Sequence, residues 1–305
     1  MDNGDGGANL MHLLILGFGY SARAIAEKIR LFTPEARITI TRRGKSAVDA
    51  LLAQGWDAHG FDGDQPASAL SPGLLEAIES ATHLLVSAPP DERGDPAIRV
   101  LEPALLAAPH LSRVLYLSTV GVYGDHQGAW VDEGTPCRPS SPRSHQRLKA
   151  EQQWQAFASN QGADLGIFRL SGIYGPGRSA IENLKAGQAR RIIKPGQVFN
   201  RIHVADIAGA IHAALHHPGT LGIFNLTDDE PAPPQDVVAY GAELLGLPCP
   251  PDIPFEVANL SDMGRSFYGE NKRVSNQRIK AELGYSFICP TYREGLRACL
   301  RGRTY

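Results

Sequence analysis

An α/β fold with a doubly wound parallel sheet and a smaller C-terminal lobe is predicted from three observations. Short apolar runs alternate with segments of helical periodicity between residues 12 and 170, which is the pattern of a parallel sheet covered by helices on both faces. Beyond residue 170 the connections become rich in glycine and proline, which is typical of a smaller lobe. A chain of 305 residues is long enough for one large core with such a partner.

The individual elements follow from the periodicity of the apolar residues. Strands are predicted for the apolar runs over 12–16, 37–41, 56–61, 83–87, 113–118 and 164–170. Helices are predicted for the amphipathic segments over 22–31, 46–54, 96–107 and 144–159. Strands over 200–204 and 223–226 flank a predicted helix over 206–216, so residues 200–227 are expected to return to the main sheet. Because ligands of such sheets bind at the carboxyl ends of the strands, functional residues are expected in the loops that follow them.

The charge balance and the apolar pattern argue against several classes of partner. The 30 basic and 32 acidic residues nearly cancel, so no overall field would draw the chain to nucleic acid or to an anionic membrane. No stretch reaches the roughly 18 apolar residues of a membrane span, and residues 1–10 lack the pattern of a signal peptide. We therefore expect a cytoplasmic protein with a flexible tail over 1–10 and a small-molecule substrate. No metal site is expected, because none of the cysteines has metal-ligand spacing and all are expected to be reduced: Cys137, Cys249, Cys289 and Cys299.

A glycine-rich motif directly follows the first predicted strand. Gly17, Gly19 and Ala22 form a G-x-G-x-x-A pattern before the first predicted helix, which is the context that the dinucleotide-binding motif requires. The first glycine permits a tight turn, the second lets the backbone approach a pyrophosphate, and the small alanine lets helix and strand pack closely. The motif predicts a Rossmann-type fold that binds a dinucleotide at this turn, the alternative being a glycine turn without a ligand. The predicted contacts are Gly17, Phe18, Gly19, Tyr20, Ser21 and Ala22.

The residues after the second predicted strand indicate which dinucleotide is bound. An acidic residue at this point usually binds a free ribose 2′-hydroxyl, but here Arg42 and Arg43 follow the strand. Two guanidinium groups suit a 2′-phosphate, so NADP(H) is predicted in preference to NAD(H), the alternative being two solvated arginines. Three further cofactor contacts are predicted at the third and fourth strands: Asp62, Ser87 and Ala88. Asp62 is expected at the adenine edge, the alternative being a plain turn residue.

Four sequence runs in a fixed order then point to a family. The run S-T-V-G-V-Y-G covers 118–124, Asp-Glu covers 132–133, Lys-Ala-Glu covers 149–151, and F-R-L-S-G-I-Y-G-P-G-R covers 168–178. This order resembles the extended short-chain dehydrogenase/reductases, the epimerase and dehydratase family, from about residue 13 to residue 296. The resemblance implies a Rossmann fold, a C-terminal substrate lobe and a Ser/Thr, Tyr and Lys catalytic set. By position, Thr119 is the hydroxyl and Lys149 is the lysine, which is also counted among the cofactor contacts.

The tyrosine position of that set is occupied by His145, and the glycine turn differs from the family's usual T-G-x-x-G-x-x-G, so the chain resembles the atypical branch. An imidazole beside positive neighbours would stay neutral and accept a proton, which would make alcohol oxidation easier than carbonyl reduction. The alternative is that His145 is a surface residue in a site that has lost its acid. Tyr123 and Tyr174 could supply a phenol from another direction, or could serve only in packing.

Other basic residues and histidines suggest substrate binding or helix capping. Arg178, Lys185, Arg190, Arg191, Lys194 and Arg201 fall along the segment that the family uses for substrate, which predicts an anionic substrate unless they form a solvated basic face. His203 and Asp206 resemble the family's His-Val-x-Asp, and Asp206 is expected to be a helix N-cap. The pair His216 and His217 is expected to complement a helix end, not to bind a metal.

The sequence therefore predicts an NAD(P)-dependent oxidoreductase or epimerase-like enzyme for a small hydroxyl or carbonyl substrate. The alternative is a non-catalytic NADP(H)-binding sensor or regulatory protein, which the missing tyrosine keeps open. Residues 11–170, with 200–227 returning, are expected to form the dinucleotide-binding domain. Residues 171–199 and 228–305 are expected to form the substrate lobe. The sequence makes no prediction of oligomeric state.

Overall fold

The computed structural model describes residues 10–302, apart from the side chain of Met263, so the predicted tail lies outside the described residues except for Leu10. The strands of the large sheet are β1 (His12–Leu16), β2 (Arg37–Arg42), β3 (Asp57–Gly60), β4 (His83–Val86), β5 (Arg113–Thr119), β7 (Asp164–Leu170) and β11 (Ile223–Leu226). Short strands outside it are β6 (Trp130–Val131), β8 (Gly172–Tyr174), β9 (Arg191–Ile193), β10 (Arg201–His203), β12 (Asp252–Pro254) and β13 (Arg273–Val274).

The large sheet is parallel throughout, and its strand order is β11-β7-β5-β4-β1-β2-β3. The chain therefore moves outward from β1 in one direction and then crosses back to continue from β4 in the other. This reversal leaves a crevice at the carboxyl ends of β1 and β4, which is where open α/β sheets bind their ligands. The predicted doubly wound α/β fold is confirmed.

Helices cover both faces of the large sheet, as the alternation of the sequence predicted. The helices are α1 (Tyr20–Phe32), α2 (Lys45–Ala53), α3 (Pro72–Ser80), α4 (Pro96–Leu106), α5 (Pro142–Gln161), α6 (Ala180–Lys185), α7 (Val204–His216), α8 (Pro234–Leu245), α9 (Asp262–Phe267), α10 (Gln277–Glu282) and α11 (Tyr292–Leu300). Within the described range, none of them is long and apolar enough to cross a membrane.

Successive residues of β1 show how the two faces are packed. Leu13 and Ile15 belong to the core with α1 and α7, whereas Leu14 and Leu16 belong to the core with α3, α4 and α5, which includes Trp154. These four side chains are fully buried, and each such burial stabilises the fold by about 1.5–3 kcal/mol. The strand is apolar from Leu13 to Leu16 because neither of its faces meets solvent.

The region after β7 departs from the prediction in one respect. The strand predicted over 200–204 does not join the large sheet: β10 pairs in parallel with β8, and only β11 returns to the large sheet, beside β7. Two further pairs are formed by β9 with β12 and by β6 with β13. Each of these pairs joins segments that are distant in the sequence, which is why local periodicity did not identify the partners.

The start of α7 also differs from the prediction, because its N-cap is His203 and not Asp206. His203 Nδ1 accepts a hydrogen bond from the Ala205 amide at 3.2 Å. The Asp206 carboxylate is fully buried and accepts from the Ile288 amide at 2.6 Å and from the Cys289 amide at 3.0 Å. Asp206 thus anchors the segment before α11 to the large domain.

Candidate dinucleotide and catalytic site

The turn after β1 has a backbone that only glycine can adopt. Gly17 has φ of +90°, and a Cβ placed on it would lie 2.7 Å from the backbone nitrogen of Ala88. The amides of Ser87 and Ala88 both donate to the Leu16 carbonyl at 2.9 Å, so the loop after β4 is held against this turn. The predicted contacts Gly17, Ser87 and Ala88 are therefore brought together at the crevice.

Gly19 differs from Gly17 because it has open space around it. No atom lies within 4 Å of the position that its Cβ would occupy, and its φ of −98° is accessible to any residue. Gly19 is also the N-cap of α1, with no side chain to bond the first amides, and the first turn contains no acidic residue. These amides and the positive end of the helix are therefore available to an anion such as a diphosphate.

The other predicted residues of the turn serve in packing and in bridging. Ser21 and Ala22 are buried, so α1 packs closely on the sheet as the motif requires. Phe18 is also buried and packs against Trp56, with ring centroids 4.9 Å apart. Tyr20 points elsewhere: its hydroxyl donates to the Pro176 carbonyl at 2.9 Å.

The end of β2 is bonded to the turn. Thr41 Oγ1 accepts from the Gly17 amide at 3.0 Å, and the Thr41 carbonyl accepts from the Phe18 amide at 3.0 Å. Arg42 Nη1 donates to the Phe18 carbonyl at 2.6 Å, so this guanidinium is partly committed to the protein. Arg43 is exposed and has no hydrogen-bond or ion-pair partner among residues 10–302. Of the two predicted arginines, Arg43 is therefore the one fully available to a ligand.

Two arginines that sequence reasoning missed connect the loops at the far end of the crevice. Arg99 donates to the Gly63 carbonyl at 3.0 Å and to Asp91 Oδ2 at 3.0 Å, and Arg93 pairs with Asp64. These contacts hold the loop after β3, which contains Asp62, against the loop after β4. Asp62 itself is half-buried and accepts from the Asp64 amide at 3.2 Å, a bond within its own turn.

The hydroxyl of Thr119 lies at the carboxyl end of β5. Its Oγ1 accepts from the Gly121 amide at 3.1 Å and caps a 3₁₀ turn over Val120–Tyr123. A Cβ on Gly121 would lie 2.8 Å from Ser144 Oγ and 3.4 Å from Thr119 Oγ1, so these two hydroxyls flank the same glycine. Ser144 belongs to the first turn of α5, which is thus held beside Thr119. The sequence analysis had not identified Ser144.

His145 and Lys149 are both exposed on α5, one helical turn apart and therefore on one side of the helix. His145 Nδ1 lies 2.9 Å from the Ser141 carbonyl, which only accepts hydrogen bonds. Nδ1 therefore carries the proton in the neutral ring, and Nε2 is left as an acceptor. Since Ser144 contacts the turn at Gly121, His145 follows directly after the point where α5 meets the Thr119 turn.

A buried ionic network lies directly beneath these residues, and sequence reasoning missed it. Glu151 and Arg169 are almost completely buried and form a two-bond pair, with distances of 2.8 Å and 3.1 Å. Ser118 Oγ donates to the same Glu151 carboxylate at 2.5 Å. Burial alone would lower the pKa of Arg169, but the bonds and charge of Glu151 raise it overall, so the guanidinium stays charged. The network links β5, which carries Thr119, and α5, which carries Lys149, to the neighbouring strand β7.

The two tyrosines considered as alternative acids are buried. Tyr123 is fully buried and donates to Asn225 Oδ1 at 2.8 Å, and burial raises its pKa to about 12. Tyr174 packs edge-on against His203, with ring centroids 5.2 Å apart, and burial raises its pKa as well. Both rings therefore serve in packing, and burial disfavours the ionised form of either phenol.

Most of the basic residues that suggested an anionic substrate are bonded within the protein. Arg190 donates to the Asn259 carbonyl at 2.6 Å, and Arg201 donates to the Phe199 and Ala232 carbonyls at 3.0 Å. Arg191 pairs with Asp252, and Lys194 donates to the Tyr268 carbonyl. In the described part of the chain, Arg178 and Lys185 are the members of this set without such a partner.

The carbonyl groups at the end of α7 are bonded by an arginine side chain, in addition to any charge on the histidine pair. Arg113 Nη1 donates to the Ala214 and His217 carbonyls at 2.8 Å, which satisfies the end of the helix. The His216 ring bonds within the helix instead, with Nδ1 2.8 Å from the His212 carbonyl. Arg113, at the start of β5, was not identified as a helix cap from the sequence.

One buried group of potential metal ligands is bonded internally. Atoms of His203, Asp206 and Cys289 lie within 4.8 Å of one another. However, Asp206 accepts the two amide bonds given above and one from Tyr285, while His203 Nδ1 caps α7. Burial lowers the pKa of His203 to about 4, so the ring is neutral at pH 7. The Asp206 carboxylate and His203 Nδ1 are therefore already bonded within the protein.

The large parallel sheet with the glycine turn at its switch point is the fold of the extended short-chain dehydrogenase/reductases. Residues 95–226 match the family model described as the NAD dependent epimerase/dehydratase family. The chain belongs to this family.

Known proteins resemble the chain over most of its length. A conserved protein of unknown function from Silicibacter pomeroyi DSS is 46% identical, with a TM-score of 0.85 over 97% of this chain and 100% of that one. The dTDP-glucose 4,6-dehydratase from Bacillus anthracis str. Ames, solved in complex with NAD, is 17% identical with a TM-score of 0.74, covering 95% of this chain and 96% of that one, a likeness of fold alone.

Two further proteins are similar at lower identity. Protein YeeZ of Escherichia coli (strain K12) is 29% identical over 284 residues, covering 90% of this chain and 95% of that protein. The 3-diazoavenalumate denitrifying reductase of a Streptomyces species is 28% identical over 251 residues, covering 75% of this chain and 80% of that reductase.

Proposed function

We propose that the protein transfers hydride between NADP(H) and a hydroxyl or carbonyl group of a small molecule. The observation that carries this proposal is the open space at Gly19 with the unbonded amides of α1, together with Arg43, which has no side-chain partner among residues 10–302. A Cβ would fill that space, so it suits the close approach of a diphosphate. The name of the Streptomyces relative, a reductase, and the NAD in the dehydratase structure are consistent with this class of reaction.

In the proposed reaction a bound nicotinamide supplies or accepts the hydride, and the residues at the end of β5 handle the oxygen and its proton. Thr119 Oγ1 accepts the Gly121 amide, so its own proton remains available for donation to a substrate oxygen. His145 Nε2, left as an acceptor by the bond at Nδ1, takes the proton from a substrate hydroxyl. Lys149 contributes a positive charge one helical turn away.

Turnover and its dependence on His145 test the catalytic proposal. NADPH consumption and NADP⁺ reduction would be followed across a panel of aldehydes, ketones, alcohols and sugar nucleotides. We expect His145→Gln to lower kcat by about 10²- to 10⁴-fold, the usual effect of losing a general base, with the NADPH Kd unchanged. Turnover that appears only in His145→Tyr would contradict the proposal and would favour the non-catalytic NADP(H)-binding alternative.

Substitution of Arg43 tests whether the protein prefers NADP(H) to NAD(H). Charge-assisted bonds of this kind contribute about 1.5–3 kcal/mol, so we expect Arg43→Gln to raise the NADPH Kd about 10-fold or more. The NADH Kd should not change, because NADH has no 2′-phosphate. Arg37→Gln is a matched control, since Arg37 is an exposed arginine at the opposite end of the same strand. Fluorescence titration gives both constants, and an equal loss for the two cofactors would exclude the phosphate role.

A further inference from the structure

Tyr20, the first residue of α1, reaches from the glycine turn to the segment after β8. Its hydroxyl donates to the Pro176 carbonyl at 2.9 Å, and a Cβ on Gly175 would lie only 2.5 Å from that hydroxyl oxygen. The tyrosine ring therefore connects the start of α1 with residues 175–178, and the glycine at 175 makes room for it.

The segment that receives Tyr20 is a tight and well-bonded turn. The backbones of Gly175 and Arg178 exchange two hydrogen bonds, of 3.0 Å and 3.1 Å. Gly177 has φ of +76°, which favours glycine. Glu182 accepts from the Gly177 amide at 3.3 Å and from Ser179 Oγ at 2.5 Å, which joins the turn to α6. The backbone of Arg178 is therefore fixed relative to the glycine turn.

The side chain of Arg178 lies above the start of α1. Its guanidinium carbon is 5.9 Å from the centroid of the Tyr20 ring, within the range of a cation–π contact. The side chain is exposed, and no carboxylate of residues 10–302 forms an ion pair with it. Arg178 is therefore a cation that lies beside the ring of the first residue of α1 and has no ion-pair partner in the described part of the chain.

We propose that Arg178 binds the cofactor diphosphate from the side opposite the glycine turn. The contact of Tyr20 with Pro176 sets the distance between Arg178 and the glycine turn. The inference rests on the proposed function, because it assigns a further residue to the same cofactor site. A guanidinium can bond two phosphate oxygens at once, which suits a diphosphate. Arg178 and Arg43 would then contact different parts of the cofactor, the diphosphate and the 2′-phosphate.

Three probes separate these contacts: NADPH, NADH and adenosine 2′-monophosphate, which has the 2′-phosphate but no phosphate at the 5′ position. We expect Arg178→Gln to raise the Kd of both dinucleotides by about 10-fold and to leave the Kd of the monophosphate unchanged. Arg178→Lys should recover part of the loss, because it keeps the charge but not the two-point geometry. Tyr20→Phe should weaken both dinucleotides less, since it removes only the bond to Pro176.

Arg301→Gln, which removes an exposed arginine from the same lobe, is the control for overall charge and should bind all three probes as the unchanged protein does. Urea midpoints would verify that each variant is folded. Dinucleotide binding by Arg178→Gln within about twofold of the unchanged protein, or an equal loss of binding of the 2′-monophosphate, would overturn the role of Arg178 alone. Absence of dinucleotide binding by the unchanged protein would overturn the proposed function together with this inference.

Discussion

Glu151→Ala is expected to lower the free energy of unfolding by about 3–5 kcal/mol, because it leaves a buried guanidinium without its counter-charge. The side chains of Glu151 and Arg169 are 2% and 4% exposed, so water cannot replace the missing carboxylate. Ser118 would also lose its acceptor. Urea denaturation monitored by circular dichroism measures the change, read from the midpoint at constant slope.

Two controls separate the buried charge from the loss of side-chain volume. Replacing both partners, Glu151→Leu with Arg169→Met, should recover most of the stability, because a buried pair exchanged for apolar residues is often neutral. Glu282→Ala breaks an exposed i,i+4 pair with Arg278 and should cost less than about 0.5 kcal/mol. A double variant as unstable as Glu151→Ala would show that packing, and not the uncompensated charge, accounts for the loss.

Gly17→Ala is expected to destabilise the protein by about 3 kcal/mol or more, through backbone strain and overpacking together. The added Cβ would lie 2.7 Å from the Ala88 nitrogen and 2.9 Å from the Ala88 Cα, and the φ of +90° does not suit alanine. Relief of the clash requires the loop after β4 to move away from the Leu16 carbonyl. The urea midpoint and the NADPH Kd should both worsen.

Gly19→Ala should behave in the opposite way. Its Cβ meets no atom within 4 Å and its φ of −98° is ordinary, so the urea midpoint should be unchanged. The methyl group would instead occupy the space proposed for the diphosphate, so dinucleotide binding should weaken by about 10-fold or more. A Gly19→Ala protein that binds NADPH normally would contradict the proposed position of the diphosphate.

The strands and helices of the large sheet could be predicted because their cause is local. The run predicted over 12–16 is apolar from Leu13 to Leu16, and β1 has the same bounds as the predicted strand. The strand order, in contrast, was expected only as a class, and the error at 200–204 shows why. β10 has the composition of a strand, but its partner depends on which edge β8 presents after the chain has folded.

The partners of charged residues could not be read from the sequence either. In the sequence, four basic residues fall close together and suggested a site for an anion. In the fold, each of them bonds a carbonyl or a carboxylate: Arg190, Arg191, Lys194 and Arg201. Glu151 was noted only as part of a Lys-Ala-Glu run, although it is the carboxylate that neutralises Arg169. A glutamate on the buried side of a helix was the signal that could have indicated an ionic network beneath the site.

The sequence by itself determined the α/β class and the glycine turn with its positive-φ residue, since each depends on residue type and short spacing. The assignments of Thr119, His145 and Lys149 depend on the resemblance to the family and stay predictions. Only the tertiary structure decided which cations remain unpaired, which hydroxyls meet at Gly121, and that Tyr20 joins the turn to residues 175–178. The physical reason is that hydrogen bonds and ion pairs require groups within a few ångströms, and segments separated by a hundred residues or more come that close only when the chain is folded.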